Sequence, residues 1–197
     1  MRIIVATAVT AFALMAYTPT MADTPPGIRG TDHVGVTVPD MDQATAFFTD
    51  VLGCQLAFTA GPFKSDDDWM QVHLNVDRKA EISRLRMLRC TSGSNIELFE
   101  YKASDQKPQP PRNSDVGGHH VAFYVDDMAK AVAYLKSKNV KMLGDPTPLS
   151  GGPNAGETFL YFLTPWGMQL EFVSYPNGMA YEKESKSKLW TPKDPAN

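Results

Sequence analysis

The chain has 197 residues, of which 43% are hydrophobic, enough for one domain with a real core. It carries 19 Lys and Arg against 22 Asp and Glu, a formal net charge of -3 and a pI near 5.8, with the cations scattered among acids. Without a basic face to meet phosphates, nucleic acid is excluded as the expected partner.

Residues 1–22 differ from everything after them. Arg2 is the sole charge before Asp23, residues 3–17 are apolar or small, and Thr20 and Ala22 stand where a signal peptidase requires small side chains. The apolar run is shorter than the roughly 20 residues a bilayer demands, and no basic stop-transfer cluster follows. A secretory signal peptide is expected, with export to a periplasm or the exterior and no membrane attachment after cleavage. Residues 23–197 then form a single mature domain.

Residues 32–41, DHVGVTVPDM, alternate as a half-buried strand does and then reach an acidic turn. Ala44, Phe47, Phe48 and Val51 follow at helical spacing, and Gly53 stops the helix. Two strands are expected next, at about residues 55–59 and 82–89. Between them residues 61–79 read as irregular and carry Asp66, Asp67, Asp68, Trp69 and His73. Residues 93–101, GSNIELFEY, close this first module. The proline, glycine and polar residues of 102–118 mark a linker.

The same order then recurs, and an internal repeat is the strongest organisational signal a sequence offers. Residues 119–128, HHVAFYVDDM, align on 32–41 without a gap, and Met128, Ala131, Val132 and Leu135 renew the helical stripe. Strands at about 141–143 and 157–163 lead to 167–175, GMQLEFVSY, which aligns on 93–101. Each module therefore reads strand, helix, strand, strand, strand. Module one spans about residues 31–101 and module two about 119–176. A polar tail, 177–197, takes no part in the repeat.

Side chains alternate faces along a strand. Val34, Val36 and Val38 form one apolar set, leaving His33, Gly35 and Thr37 opposite; Val121, Phe123 and Val125 form the other, leaving His120, Ala122 and Tyr124. On the closing strands Ile96 and Leu98 oppose Glu97, while Leu170 and Phe172 oppose Glu171. Each module thus presents one histidine and one carboxylate on its non-core face at matched positions. Two imidazoles and two carboxylates suit one divalent ion such as zinc, nickel, manganese, cobalt or iron. Taken singly, each could be a solvated strand residue; matched occurrence in a repeat favours the site. His119 and Glu100 have the wrong parity.

Other polar residues leave alternatives open. Tyr101, Tyr124 and Tyr175 share the parity of the four ligands and could orient a substrate or simply pack. His73, near Trp69, could overhang the site or stand in solvent. Arg84 and Arg86 could face inward, but so could Leu85 and Met87. Cys54 opens the second strand and Cys90 ends the third. If these strands run antiparallel the two cysteines face each other within disulfide range, and an exported protein can keep the bond. Two separately packed thiols are the alternative.

The paired pattern of DHVGVTVPDM with NIELFEY, and HHVAFYVDDM with FLTPWGMQLEFV, resembles the vicinal-oxygen-chelate superfamily, which includes glyoxalase I, methylmalonyl-CoA epimerase, extradiol dioxygenases and bleomycin-resistance proteins. The likeness covers about residues 31–176. It implies an α+β fold of two βαβββ modules whose mixed sheet curves into a glyoxalase-like cup around a metal held by His33, Glu97, His120 and Glu171. Extradiol dioxygenases lack a ligand at the position of Glu97, and relatives of glyoxalase I carry a glutamate there. The resemblance therefore implies an isomerase or lyase acting on a small oxygenated substrate that chelates the ion. Glu171 or Glu97 would take a proton beside a carbonyl, and the same or the opposite carboxylate would return it. Two readings stay open beside it: an iron-dependent extradiol-type dioxygenase, and a non-catalytic ligand-sequestering protein of the bleomycin-resistance type. Export argues against glutathione thioesters and coenzyme A esters as substrates. Many relatives are dimers, some exchanging modules between chains, so a homodimer is compatible.

Overall fold

In a computed structural model the described residues are 25 and 27–196, and the expected signal segment lies outside them. From Thr31 onward the chain is one compact unit. Module one contains β1 (His33–Thr37), α1 (Met41–Asp50), β2 (Gln55–Ala60), α2 (Trp69–Leu74), β3 (Glu81–Arg89) and β4 (Asn95–Lys102). Module two contains β5 (Val121–Tyr124), α3 (Met128–Ser137), β6 (Lys141–Met142), β7 (Thr147–Pro148), β8 (Thr158–Leu163) and β9 (Gln169–Ser174), followed by a 3-10 turn, Ala180–Lys183. The acidic turns that precede the two long helices are their N-caps. Asp40 accepts from the backbone N–H groups of Asp42 and Gln43, and Asp127 from that of Lys130, which satisfies donors that a helix start leaves unpaired. Helix α2 lies inside the stretch read from sequence as irregular. Asp67 accepts from Trp69 N at 2.9 Å and starts the turn, while Met70, 1% exposed, anchors it beside Ala80 and Ile82.

The two modules build separate sheets with the same order of their main strands, β1-β4-β3-β2 and β5-β9-β8-β6, with β7 added to β8. β1 pairs parallel with β4 and β5 with β9, and the remaining pairs are antiparallel, so both sheets are mixed. The two βαβββ modules expected from sequence each form one mixed sheet, because each opening strand directs its ladder bonds to its own module's closing strand. One core unites them. Val36, Val38, Ile96 and Leu98 from one sheet and Leu170 and Phe172 from the other pack with Met41, Ala44, Phe47 and Phe48 of α1 and Leu135 of α3. Trp166 meets Phe47 edge-on at 6.0 Å. Each large side chain buried here contributes roughly 1.5–3 kcal/mol. With the apolar faces committed to that core, His33, Glu97 and Glu171 stand on the opposite faces.

Arg84 and Arg86 point to α1. Arg84 donates to Glu100 at 2.9 Å and to Asp42 at 2.8 Å, and Arg86 donates to Thr45 Oγ1 at 2.8 Å. Glu100 also accepts from Met41 N, and Arg84 holds its carboxyl below the usual carboxylate range. The arginines thus dock α1 on the sheet, and Leu85 and Met87 take the face that carries Glu97.

Cys54 and Cys90 are joined by a disulfide with Cα atoms 4.3 Å apart, as the antiparallel pairing of neighbouring Gln55 and Arg89 requires. Their separation of 36 residues corresponds to about 4 kcal/mol of stabilisation if the bond acts by restricting the unfolded chain. Changing both cysteines to alanine is expected to lower the urea unfolding midpoint in keeping with that loss, measured without reductant against the oxidised protein.

Candidate active site

The parallel register of β1 on β4 sets Gly35 opposite Glu97. His33 Nε2 lies 3.2 Å from Glu97 Oε2, and Nδ1 on the far side of the ring lies 2.8 Å from Asp32 Oδ1. Module two repeats this plan. Ala122 stands opposite Glu171, His120 Nε2 is 3.1 Å from Glu171 Oε2, and His120 Nδ1 is 3.0 Å from Asn113 Oδ1. Glycine and alanine at the intervening positions place no large side chain between each histidine and its carboxylate. In both pairs an oxygen engages Nδ1 and leaves Nε2 aimed at the carboxylate. Metal-ligating histidines are oriented in this way.

The structure brings His33 to Glu97 and His120 to Glu171. Among the described residues no group of three or more His, Cys, Asp or Glu lies close enough to hold an ion. The four residues expected to share one ion stand in the structure as two donor pairs, each built inside its own sheet.

The pairs differ in their surroundings. Glu171 is 7% exposed, and burial pushes its carboxyl above the ordinary range, with His120 pulling it down and Glu157 pushing it further up. Tyr161 on β8 is its direct cross-strand neighbour, and Met87 holds the matching place opposite Glu97. Burial and the nearby Glu171 carboxylate push the Tyr161 hydroxyl above its ordinary value, and its ring meets that of His120 edge-on at 5.1 Å. His33, by contrast, is raised above the usual imidazole value by its bond to exposed Asp32, against the opposing effect of desolvation, with Glu97 adding to the rise. Tyr161, Asn113 and Glu157 were not legible as site residues. The parity of Tyr161 within TFLYFL was visible, but its register against Glu171 was not, and Asn113 sits in a linker without periodicity.

Tyr101 stacks on Phe99 at 5.6 Å on the face of Glu97, and burial raises its hydroxyl, with Glu97 adding to the effect. It lines a cavity of about 560 Å³ with Thr37, Gln71, Asn75, Arg78 and Gln106. Tyr124 and Tyr175 meet edge-on at 4.9 Å, and the Tyr175 hydroxyl is 2.8 Å from Thr191 Oγ1, so this pair packs against the tail. The His73 ring lies tilted against that of exposed Trp69, with centroids 4.9 Å apart. Gln71 and Asn75 face the cavity, and His73, two residues from each, points elsewhere at about 100° per residue. His119 bonds Gly117 O through Nδ1 at 3.0 Å and joins neither pair.

A family model described as Glyoxalase/Bleomycin resistance protein/Dioxygenase superfamily matches residues 32–162. The chain belongs to this superfamily. A 2-epi-5-epi-valiolone epimerase from Actinomyces sp is 47% identical over 168 residues, covering 85% of this chain and 91% of that protein. A mitochondrial methylmalonyl-CoA epimerase from Mus musculus is 28% identical over 116 residues, 58% of this chain and 56% of that one. The crystal structure of a glyoxalase family protein from Bacillus cereus superposes with a TM-score of 0.57 at 19% identity, covering 78% of this chain and 97% of that chain, and shares the fold.

Proposed function

We propose that this superfamily member is a divalent-metal-dependent epimerase that moves a proton at the carbon beside the carbonyl of a small polyhydroxylated ketone. The observation that carries this reading is the pair of carboxylates at equivalent places in the two modules, each beside a histidine whose Nδ1 is held. Epimerisation removes a proton from one face of a carbon and delivers one to the other, so it calls for two groups that can approach from opposite sides. Glu97 and Glu171 suit that role. Glu171 is met by both His120 and Tyr161, and Glu97 by His33, which makes Glu97 the freer proton carrier.

The donor types fit the divalent ion that superfamily members commonly use, with His33, Glu97, His120 and Glu171 as its holders. When bound, such an ion supplies Lewis acidity that draws charge from a substrate carbonyl. Because one chain offers two separate pairs, we take the working form to be a homodimer in which a second copy lends the complementary pair. Phe58, 51% exposed and paired with Met87 on the strand beside it, supports this as apolar surface on the face that carries Glu97.

The cavity beside Tyr101 supports a neutral polyol as substrate. Carboxamides of Gln71, Asn75 and Gln106 and the hydroxyls of Thr37 and Tyr101 match hydroxyl groups, while Arg78 is outnumbered by Asp77 and Asp105, a poor setting for phosphates. The relative named for 2-epi-5-epi-valiolone makes that ketone the first substrate to try. The composition of residues 1–22 supports export, which also disfavours coenzyme A esters.

Elemental analysis of the purified protein, paired with oxygen-electrode traces in the presence of catechols, tests this reading. Zinc, nickel, cobalt or manganese with no oxygen uptake is expected. Stoichiometric iron with catechol-dependent oxygen uptake would replace the epimerase with an extradiol-type dioxygenase.

A further inference from the structure

The two donor pairs are equivalent by repeat but not by support. Asn113 accepts from His120 Nδ1 at 3.0 Å, His120 Nε2 is 3.1 Å from Glu171, and Tyr161, the cross-strand neighbour of Glu171, meets the His120 ring edge-on at 5.1 Å. Four side chains from the linker, the residue preceding β5, β8 and β9 thus gather in one cluster. Module one has no such cluster. Met87 offers no polar atom suited to hold Glu97, whereas Nδ1 of His33 is held by Asp32 at 2.8 Å, so the modules differ in what faces the carboxylate.

The linker is shaped to deliver Asn113. Arg112 N donates to Asp115 Oδ2 at 2.9 Å, its guanidinium pairs with Oδ1 at 3.1 Å, and Gly118 N donates to Asp115 O at 2.7 Å. A Cβ at Gly118 would collide with the backbone oxygens of Arg112 and Asp115, so only glycine lets the chain turn this tightly beside Asn113. A segment whose composition reads as a mere connection is folded against the site.

We propose that Asn113 and Tyr161 are positioning residues that lock the His120 imidazole and the Glu171 carboxylate as the rigid half of the ion's donor set, leaving the module-one pair as the adaptable half. The proposal rests on the metal reading above. A bidentate claim on a small ion requires both donors to hold their orientation. An imidazole whose Nδ1–H is unsupported rotates freely about its ring bond, and loss of such outer support typically costs 10- to 100-fold in metal affinity. Asn113 is exposed, so its replacement does not threaten the core.

The test is titration of cobalt(II) into the chelator-stripped full chain, following both heat and the visible ligand-field bands, with melting temperature as the control for folding. Asn113→Ala and Tyr161→Phe are each expected to weaken cobalt binding about 10- to 100-fold and to shift the bands, while Asn113→Asp, which restores the acceptor that Asp32 provides in module one, recovers most of the affinity. Wild-type affinity and an unchanged spectrum in both Asn113→Ala and Tyr161→Phe would overturn the proposal alone. A wild-type chain that takes up no cobalt would overturn the metal reading and this proposal with it.

Discussion

On the proposed epimerase reading, replacing Glu97 with glutamine is expected to cut turnover of the ketone substrate about a thousandfold while leaving the melting temperature near that of the wild type. Glutamine keeps the shape and the oxygen that faces His33 Nε2 at 3.2 Å, but it is not a base. Positioned proton transfer is typically worth 10²–10⁴ in rate. The fold should not register the change, because the core contacts of β4 come from Ile96 and Leu98 on the other face. With the divalent ion kept saturating, because Glu97 is also one of its proposed holders, KM should move little, since substrate hydroxyls are assigned to the cavity beside Tyr101. Steady-state kinetics decides this, and a variant with wild-type kcat would remove Glu97 from the proton path.

Replacing His120 with alanine is expected to lower affinity for a divalent ion by more than about a hundredfold, since losing the outer support of a ligand already costs 10- to 100-fold. The ring is the centre of its surroundings. It joins Glu171 to Asn113 and packs against Tyr161, so alanine deletes a donor and also the group that the rest of the cluster orients. His120 precedes β5 and is exposed, and the strand's pairing through Val121 with Leu170 survives its loss. Metal content after dialysis against a fixed free-ion buffer reads the effect. Retention of wild-type metal by His120→Ala would show that this imidazole is not a ligand.

The fold was legible where periodicity repeats. Val34, Val36 and Val38 against His33, Gly35 and Thr37 sorted the faces of β1 correctly, and the same parity in β4 and β9 put Glu97 and Glu171 on the faces turned from the core. Helix α2 escaped because its six residues are too few for a helical stripe to show, and its hold comes from one buried methionine. That each module carries one histidine and one carboxylate on that face followed from the repeat, and that the two are neighbours came from the parallel register of β1 on β4 and of β5 on β9. What alignment could not supply was distance between modules, since a repeat fixes equivalent positions and says nothing about how two sheets sit. Tyr161 was out of reach for a related reason, as cross-strand register is set by turns and packing outside the strand itself.

The central claim, proton transfer at a carbon beside a ketone, is tested most directly by running the metal-loaded protein with 2-epi-5-epi-valiolone in deuterated water and reading the recovered ketone by mass spectrometry and NMR. Incorporation of one deuterium at the epimerised carbon, without oxygen consumption, is the predicted result. Epimer formation with no deuterium uptake, or consumption of oxygen in step with loss of the ketone, would contradict it.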